Sequence, residues 1–328
     1  MERFFATLPI WLNVFLFFAG FLIITKGADW FVGSAVTIAE ATGIPKIVIG
    51  ATIVSVATTF PEFCVSFIAS LMKHPGTAVG NSIGSAVCNI GLILGTSVLV
   101  KPMVVQKKTA LRQGAFMIAA GILVTLLAVD GQLSQLNGLL LLVGLVCYIW
   151  YSVHRSGKQR NRTENNTPKT AGGEWLCQQK FSSILRFCIG GLSVGLGSVL
   201  LVQNAAVIAR WLGVPELIIA LTLVSVGTSL PEYVTSLTAI VKGHGDLGVG
   251  NVLGADVLDI LWVLGASSLV RPLSIQRQTQ VLDFPFMLLL MVLCVLFSST
   301  GQRIYRWQGA TLFGIYVLYL LLMFHLFT

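Results

Sequence analysis

Charge is scarce in this sequence. Only 10% of its 328 residues are Asp, Glu, Lys or Arg, against about a quarter in a typical soluble domain, so too little polar surface exists to face water all round. Acidic residues are scarcer than basic ones, 13 against 21, for a net charge of +8. That balance does not describe a nucleic-acid binder. Six of the basic residues lie in one polar stretch between His154 and Lys180 that holds a single aromatic, Trp175, and most others border apolar runs, as positive-inside loops do. The six cysteines, Cys64, Cys88, Cys147, Cys177, Cys188 and Cys294, show neither metal-pair nor disulfide-framework spacing and read as small apolar fillers. No H-E-x-x-H helix is present, which removes a zinc protease. The G-x-S-x-G match at Gly80-Asn81-Ser82-Ile83-Gly84 lacks the strand-turn-helix setting of a hydrolase elbow. We expect no enzyme activity and no cofactor.

What is present is apolar length. Hydrophobic residues make up 55% of the chain and the mean hydropathy is +0.85, with several runs near the roughly 20 residues that cross a hydrocarbon core. The chain is expected to be an integral membrane protein in contact with the lipid bilayer. Arg3 precedes an apolar run that continues past leader length, so this segment reads as a first span rather than a cleaved signal.

The sequence also repeats itself. Residues 43–62 (GIPKIVIGATIVSVATTFPE) align without gaps on 213–232 (GVPELIIALTLVSVGTSLPE), an offset of 170. The same offset carries 80–95 onto 250–265 and pairs Gly27 with Gly197, Pro102 with Pro272, Gln106 with Gln276 and Gly131 with Gly301. Five spans are predicted in each copy, near 8–38, 44–72, 78–100, 111–129 and 134–153, then 183–211, 214–241, 248–270, 281–299 and 307–327. An odd number of spans forces the second copy to enter from the opposite face, as in many secondary transporters. The expected fold is all-α: ten transmembrane helices as two inverted five-helix repeats, 1–153 and 183–328, joined by a basic linker at 154–182. Fifteen basic residues fall on the linker face against five on the other, with Lys26 inside a span. This predicts a cytoplasmic linker and both termini outside, in a prokaryotic cytoplasmic (inner) membrane.

Polar residues stand where lipid-like ones belong. Glu62 and Glu232 lie inside the second span of each half, each after a proline, and ionisable residues within membrane helices are costly and mark function. Pro61 and Pro231 each remove a helical hydrogen bond and push away the carbonyl four residues earlier, on Ala57 and Gly227, beside Thr58 and Thr228. A broken helix with free carbonyls, hydroxyls and a carboxylate suits a desolvated hard cation. In the third spans Asn81, Ser85 and Asn89 recur every four residues on one face, matched by Asn251, Ala255 and Asp259. Asp256 sits about 60° round the helix from Asp259, bordering the cavity. Gly80, Gly84, Gly250 and Gly254 allow close helix packing. Lys26 and Asp29 read as an ion pair within the first span.

At these residues the sequence resembles the sodium/calcium exchanger (cation/calcium antiporter) superfamily, specifically its small prokaryotic members with two alpha-repeats. The resemblance covers both repeats and so nearly the whole chain. It implies clustered cation sites at mid-membrane: Glu62 and Glu232 as principal Ca²⁺ ligands, aided by backbone oxygens of Thr58 and Thr228. Ser55, Thr59, Ser85, Ser225 and Ser229, with Asn89 and Asp259, would complete the Na⁺ and central sites. It implies alternating access by sliding of spans one and six, eased by Gly27 and Gly197. The implied partners are the transported cations, Ca²⁺ and Na⁺ or H⁺, with no nucleic acid and no obligate protein partner. Two departures bear on the coupling ion. Ala255 lacks a hydroxyl expected at a Na⁺ site, and Asp256 puts a carboxylate where an amide is usual. Both favour H⁺ as an alternative to Na⁺, because a carboxylate can carry a proton. The rival reading of a passive cation pore is disfavoured by the two-fold set of broken helices.

Overall fold

The computed structural model describes residues 5, 7–42, 44–164, 173–213, 225–299 and 303–327. Twelve helical segments carry the labels used below: α1 (Ile10–Thr42), α2 (Lys46–Thr58), α3 (Phe60–Leu71), α4 (Pro75–Val100), α5 (Lys107–Leu127), α6 (Gln135–Glu164), α7 (Gly173–Trp211), α8 (Ser225–Thr228), α9 (Leu230–Val241), α10 (Gly245–Val270), α11 (Thr279–Ser299) and α12 (Arg306–Phe327). Among the described residues seven helices are long and apolar enough to span a membrane, and α2 with α3, bent by 47° at Thr59, forms an eighth. The other two predicted spans correspond to α7 and to α8 with α9, the latter preceded by residues 214–224 outside the described set. The protein is an all-α, polytopic membrane protein apart from four two-residue strands.

The span ends show the inversion. Strand β1 (Met103–Val104), after α4, pairs antiparallel with β4 (Arg303–Ile304); β2 (Gln132–Leu133) pairs with β3 (Leu273–Ser274), after α10. Met103 and Leu273 are repeat mates, so each half's strand is completed by the other half, once on each face. On the β1 face Lys101 donates to Val241 O at 2.8 Å, and the Gln106 amide donates to Asp246 at 2.7 Å. Where α3 and α9 end, Lys73 and its mate Gly243 both take the left-handed conformation, φ 67° and 86°, which costs glycine nothing and strains lysine.

Burial is divided unevenly among the spans. The most hydropathic window of α10 is 94% buried and that of α4 is 72%, whereas α12 reaches 17%. The two spans richest in Gly, Ser, Asn and Asp therefore form the centre, and the oilier ones face outward. In lipid no hydrophobic drive separates inside from outside, so close packing and polar contacts choose the interior. Glycine makes that packing possible: a Cβ on Gly250 would strike the Ile47 carbonyl, and one on Gly254 would strike Ala51 and the Ser55 hydroxyl. Hydroxyls elsewhere, such as Thr25, Thr52 and Thr125, fold back onto the carbonyl four residues earlier, a local solution.

The structure adds detail to the linker, corrects one ion pair and places two glycines. Helix continues through 154–164 and 173–182, within the basic linker, whose Lys, Arg, Gln and Glu residues are good helix formers. Lys26 and Asp29 do not pair with each other. Asp29 instead meets Lys242 at 2.9 Å, because α9 presents an ammonium where α1 passes. Gly27 and Gly197 lie in the contact of α1 with α7, against Ser193 and Gly190, and against Ile24 and Gly20. They let those two helices approach closely.

Candidate cation site

Each half contributes one broken helix and one polar helix. In the first, α2 stops at Thr58, Thr59 turns, and α3 restarts with Pro61 in its first turn and Glu62 beside it. In the second, α8 stops at Thr228, Ser229 turns, and α9 restarts with Pro231 and Glu232. Proline at a helix start forfeits only an amide that has no helical partner, so the break costs little and leaves carbonyls unused. In α4 and α10 a π-helical turn begins at the polar position, Asn89–Leu94 and Asp259–Leu264, repeat-related and of the sort common at functional sites. A further π turn, Gly50–Val54, precedes Ser55.

The buried side chains interlock across the halves. Thr58 donates to Asn251 Oδ1 at 3.3 Å, and Asn251 donates to Ser236 at 2.9 Å. The mates repeat this: Thr228 donates to Asn81 Oδ1 at 3.2 Å, and Asn81 donates to Ser66 at 2.9 Å. Ser229 meets Ser85 at 3.2 Å. Its mate Thr59 donates to Glu232 Oε1 at 3.2 Å, and the mate of Ser85 is Ala255, which has no hydroxyl. Ser55 donates to the carbonyls of Gly50 and Asn251, and Ser82 to that of Asp259. Ser225 lies in α8, but its side chain is outside the described set.

Asn89 holds two acids, donating to Asp256 Oδ1 at 3.1 Å and to Asp259 Oδ2 at 3.3 Å. Glu62, Glu232, Asp256 and Asp259 are each at most 1% exposed. Glu232 and Asp259 are the acids whose charge reaches Glu62, and Ser229 lies next to it. Both oxygens of Glu62, Oε2 of Glu232, Oδ1 of Asn89, Oδ2 of Asp256 and Oδ1 of Asp259 accept no hydrogen bond. No Lys, Arg or His appears among the buried described residues. Buried anions and acceptors without donors are unstable alone, so the electrostatics of this centre call for cations. Among the described residues no three His, Cys, Asp or Glu side chains converge to chelate a metal by themselves. The donors are mixed, with amide, hydroxyl and carbonyl oxygens completing what the acids begin, a set suited to hard ions.

The structure thus brings together Glu62, Glu232, Thr58, Thr59, Thr228, Ser229, Ser85, Asn89, Asp256 and Asp259, with Ser55 against the Asn251 backbone. It adds Ser66 and Ser236, which sequence reasoning passed over. Their signal was available: both are four residues beyond a glutamate, and they are repeat mates.

A family profile described as sodium/calcium exchanger protein matches residues 12–154 and 182–325. The chain belongs to the sodium/calcium exchanger family. Among curated relatives of this exchanger, the sodium/calcium exchanger MaX1 of Methanosarcina acetivorans is 30% identical, covering 97% of this chain and 100% of its own length. The inner membrane protein YrbG of Escherichia coli is 32% identical, with 95% and 96% covered. Among solved structures, the sodium-calcium exchanger NCX_Mj soaked with 10 mM Na⁺ and zero Ca²⁺ matches with a TM-score of 0.83 at 30% identity, covering 98% of this chain and 100% of that one. Soaked with 10 mM Na⁺ and 10 mM Sr²⁺, it matches at 0.82 and 31% identity, with 95% and 99% covered. This exchanger is a multi-pass membrane transporter of cations and not an enzyme.

Proposed function

We propose that this exchanger moves Ca²⁺ against Na⁺ by alternating access, with Glu62 and Glu232 as the shared Ca²⁺ ligands. The observation that carries the reading is the set of six buried side-chain oxygens without donors, contributed by both halves, three at the two helix breaks and three from α4 and α10. Thr58 and Thr228 supply oxygens beside the glutamates; Ser55, Thr59, Ser85, Ser225, Ser229, Asn89 and Asp259 complete the Na⁺ and central positions. The halves are 1–153 and 183–328, joined at 154–182, with the joint on the cytoplasmic side of a prokaryotic inner membrane and both termini outside. The charge bias of the span ends supports that orientation. The sodium/calcium activity named for MaX1 and NCX_Mj supports the choice of ions.

A second reading, H⁺ in place of Na⁺, is favoured by one feature. Asp256 shares Asn89 with Asp259 and keeps Oδ2 without a donor, while Ala255 offers no hydroxyl. Proteoliposomes separate the readings. ⁴⁵Ca²⁺ uptake driven by an outward Na⁺ gradient supports Na⁺ coupling, and uptake driven only by a pH gradient supports H⁺. Uptake with neither gradient contradicts exchange.

A further inference from the structure

Helices α1 and α7 pack on each other along their length, through Gly27, Gly190 and Gly197 and the Phe31–Phe187 ring contact at 4.4 Å. The pair meets the glutamate-bearing helices in two places: Ile24, Ala28 and Val194 touch Leu230 and Val234 of α9, and the stretch of α1 from Phe31 to Ala39 clusters with Ile49 of α2 and Ala239 of α9. Ile24 and Val194 are themselves repeat mates, so the first patch looks alike to either half. The mates of Leu230 and Val234 are Phe60 and Cys64 of α3, an equivalent seat that here is open: Phe60 is 54% exposed. An inverted repeat that alternates between two arrangements therefore has two seats for this pair, one on α9 toward the linker face and one on α3 toward the other.

The seats differ in one respect. On α9, Lys242 Nζ binds Asp29 twice, at 2.9 Å to Oδ1 and 3.3 Å to the backbone carbonyl. The mates of this pair are Met72 and Val199, both apolar and exposed. We propose that Asp29 and Lys242 form a one-sided latch that biases the exchanger toward the arrangement with the α1–α7 pair seated on α9, closing the linker face. Binding at the central site does not involve either residue, so the latch sets the balance of states rather than the affinity of each. A half-exposed ion pair of this kind shifts such an equilibrium by roughly two- to fivefold. The inference rests on the exchange reading above, since a protein with one arrangement has nothing to bias.

Cys64 is a built-in reporter, because the alternative seat covers it. In full-length protein reconstituted into liposomes, with Cys147, Cys177 and Cys188 replaced by Ala, Cys64 is left as the reactive thiol; Cys88 and Cys294 are buried. Asp29→Asn and Lys242→Gln should each slow maleimide modification of Cys64, by up to about fivefold, and the double exchange Asp29→Lys with Lys242→Asp should restore it. Unchanged modification in both single variants overturns the latch, as does failure of the charge-reversed pair to recover. If modification shifts and recovers while no gradient drives Ca²⁺ exchange, the latch stands and the assignment of ions falls.

Discussion

Replacing Asn251 by Ala removes the centre of one of two repeated hydrogen-bond chains. Asn251 donates to Ser236 at 2.9 Å and accepts from Thr58 at 3.3 Å. Thr58 retains Ser55 O as an acceptor at 3.3 Å, so its loss is small. Ser236 is fully buried and loses its amide partner, and a buried polar group left without a partner costs about 1–3 kcal/mol. We expect the site to loosen by roughly 2 kcal/mol, or about thirtyfold in the Ca²⁺ concentration for half-maximal uptake. Asn81→Ala should match or exceed this, since Asn81 also donates to the Glu62 carbonyl at 3.2 Å. The assay is ⁴⁵Ca²⁺ uptake into proteoliposomes over a concentration series, with monodispersity and melting temperature as controls on folding. Wild-type Ca²⁺ dependence in both variants would refute the claim that these amides position the threonines.

Ala255→Ser should return a hydroxyl opposite Thr59 and release Glu232 from that contact, shifting the Na⁺ dependence of exchange by about fivefold, the worth of one hydrogen bond; a Na⁺ titration of uptake checks it. Gly250→Ala should push a methyl into the Ile47 carbonyl and lower the melting temperature without selecting between ions, at a cost of about 1–3 kcal/mol; an unchanged melting temperature contradicts the packing account. Asp256→Asn should leave Na⁺-driven uptake in place and abolish uptake driven by a pH gradient, if the wild type shows any; persistence of proton-driven uptake excludes Asp256 as the proton carrier.

The helices and their breaks were legible because they are local. A span needs only a run of apolar residues, and the Pro-Glu breaks in ATTFPEF and GTSLPEY announce themselves twice at a fixed offset. The glutamates were legible for the same reason, since a carboxylate inside an apolar run is too costly to persist without a use. What escaped depends on which helices meet. Ser66 and Ser236 look like small packing residues until α4 and α10 present Asn81 and Asn251 to them. Local spacing suggests Lys26 as the partner of Asp29, but Lys242 arrives from 213 residues away. Asp283, buried in α11 and accepting from Tyr319 at 3.1 Å, was equally silent in sequence; its mate is Gln113, so the repeat gave no second copy to draw attention to it. The Gly27–Gly197 match was visible in sequence, but its use as a clamp between α1 and α7 required knowing that those helices pack together.

The central claim is that Glu62 and Glu232 hold one divalent cation between the two halves. Equilibrium ⁴⁵Ca²⁺ binding to purified Glu62→Gln and Glu232→Gln proteins tests it most directly. Stripping one carboxylate from a buried ionic cluster costs about 3–5 kcal/mol, so each variant should bind at least about a hundredfold more weakly while keeping its fold. Wild-type binding in either one would contradict the account.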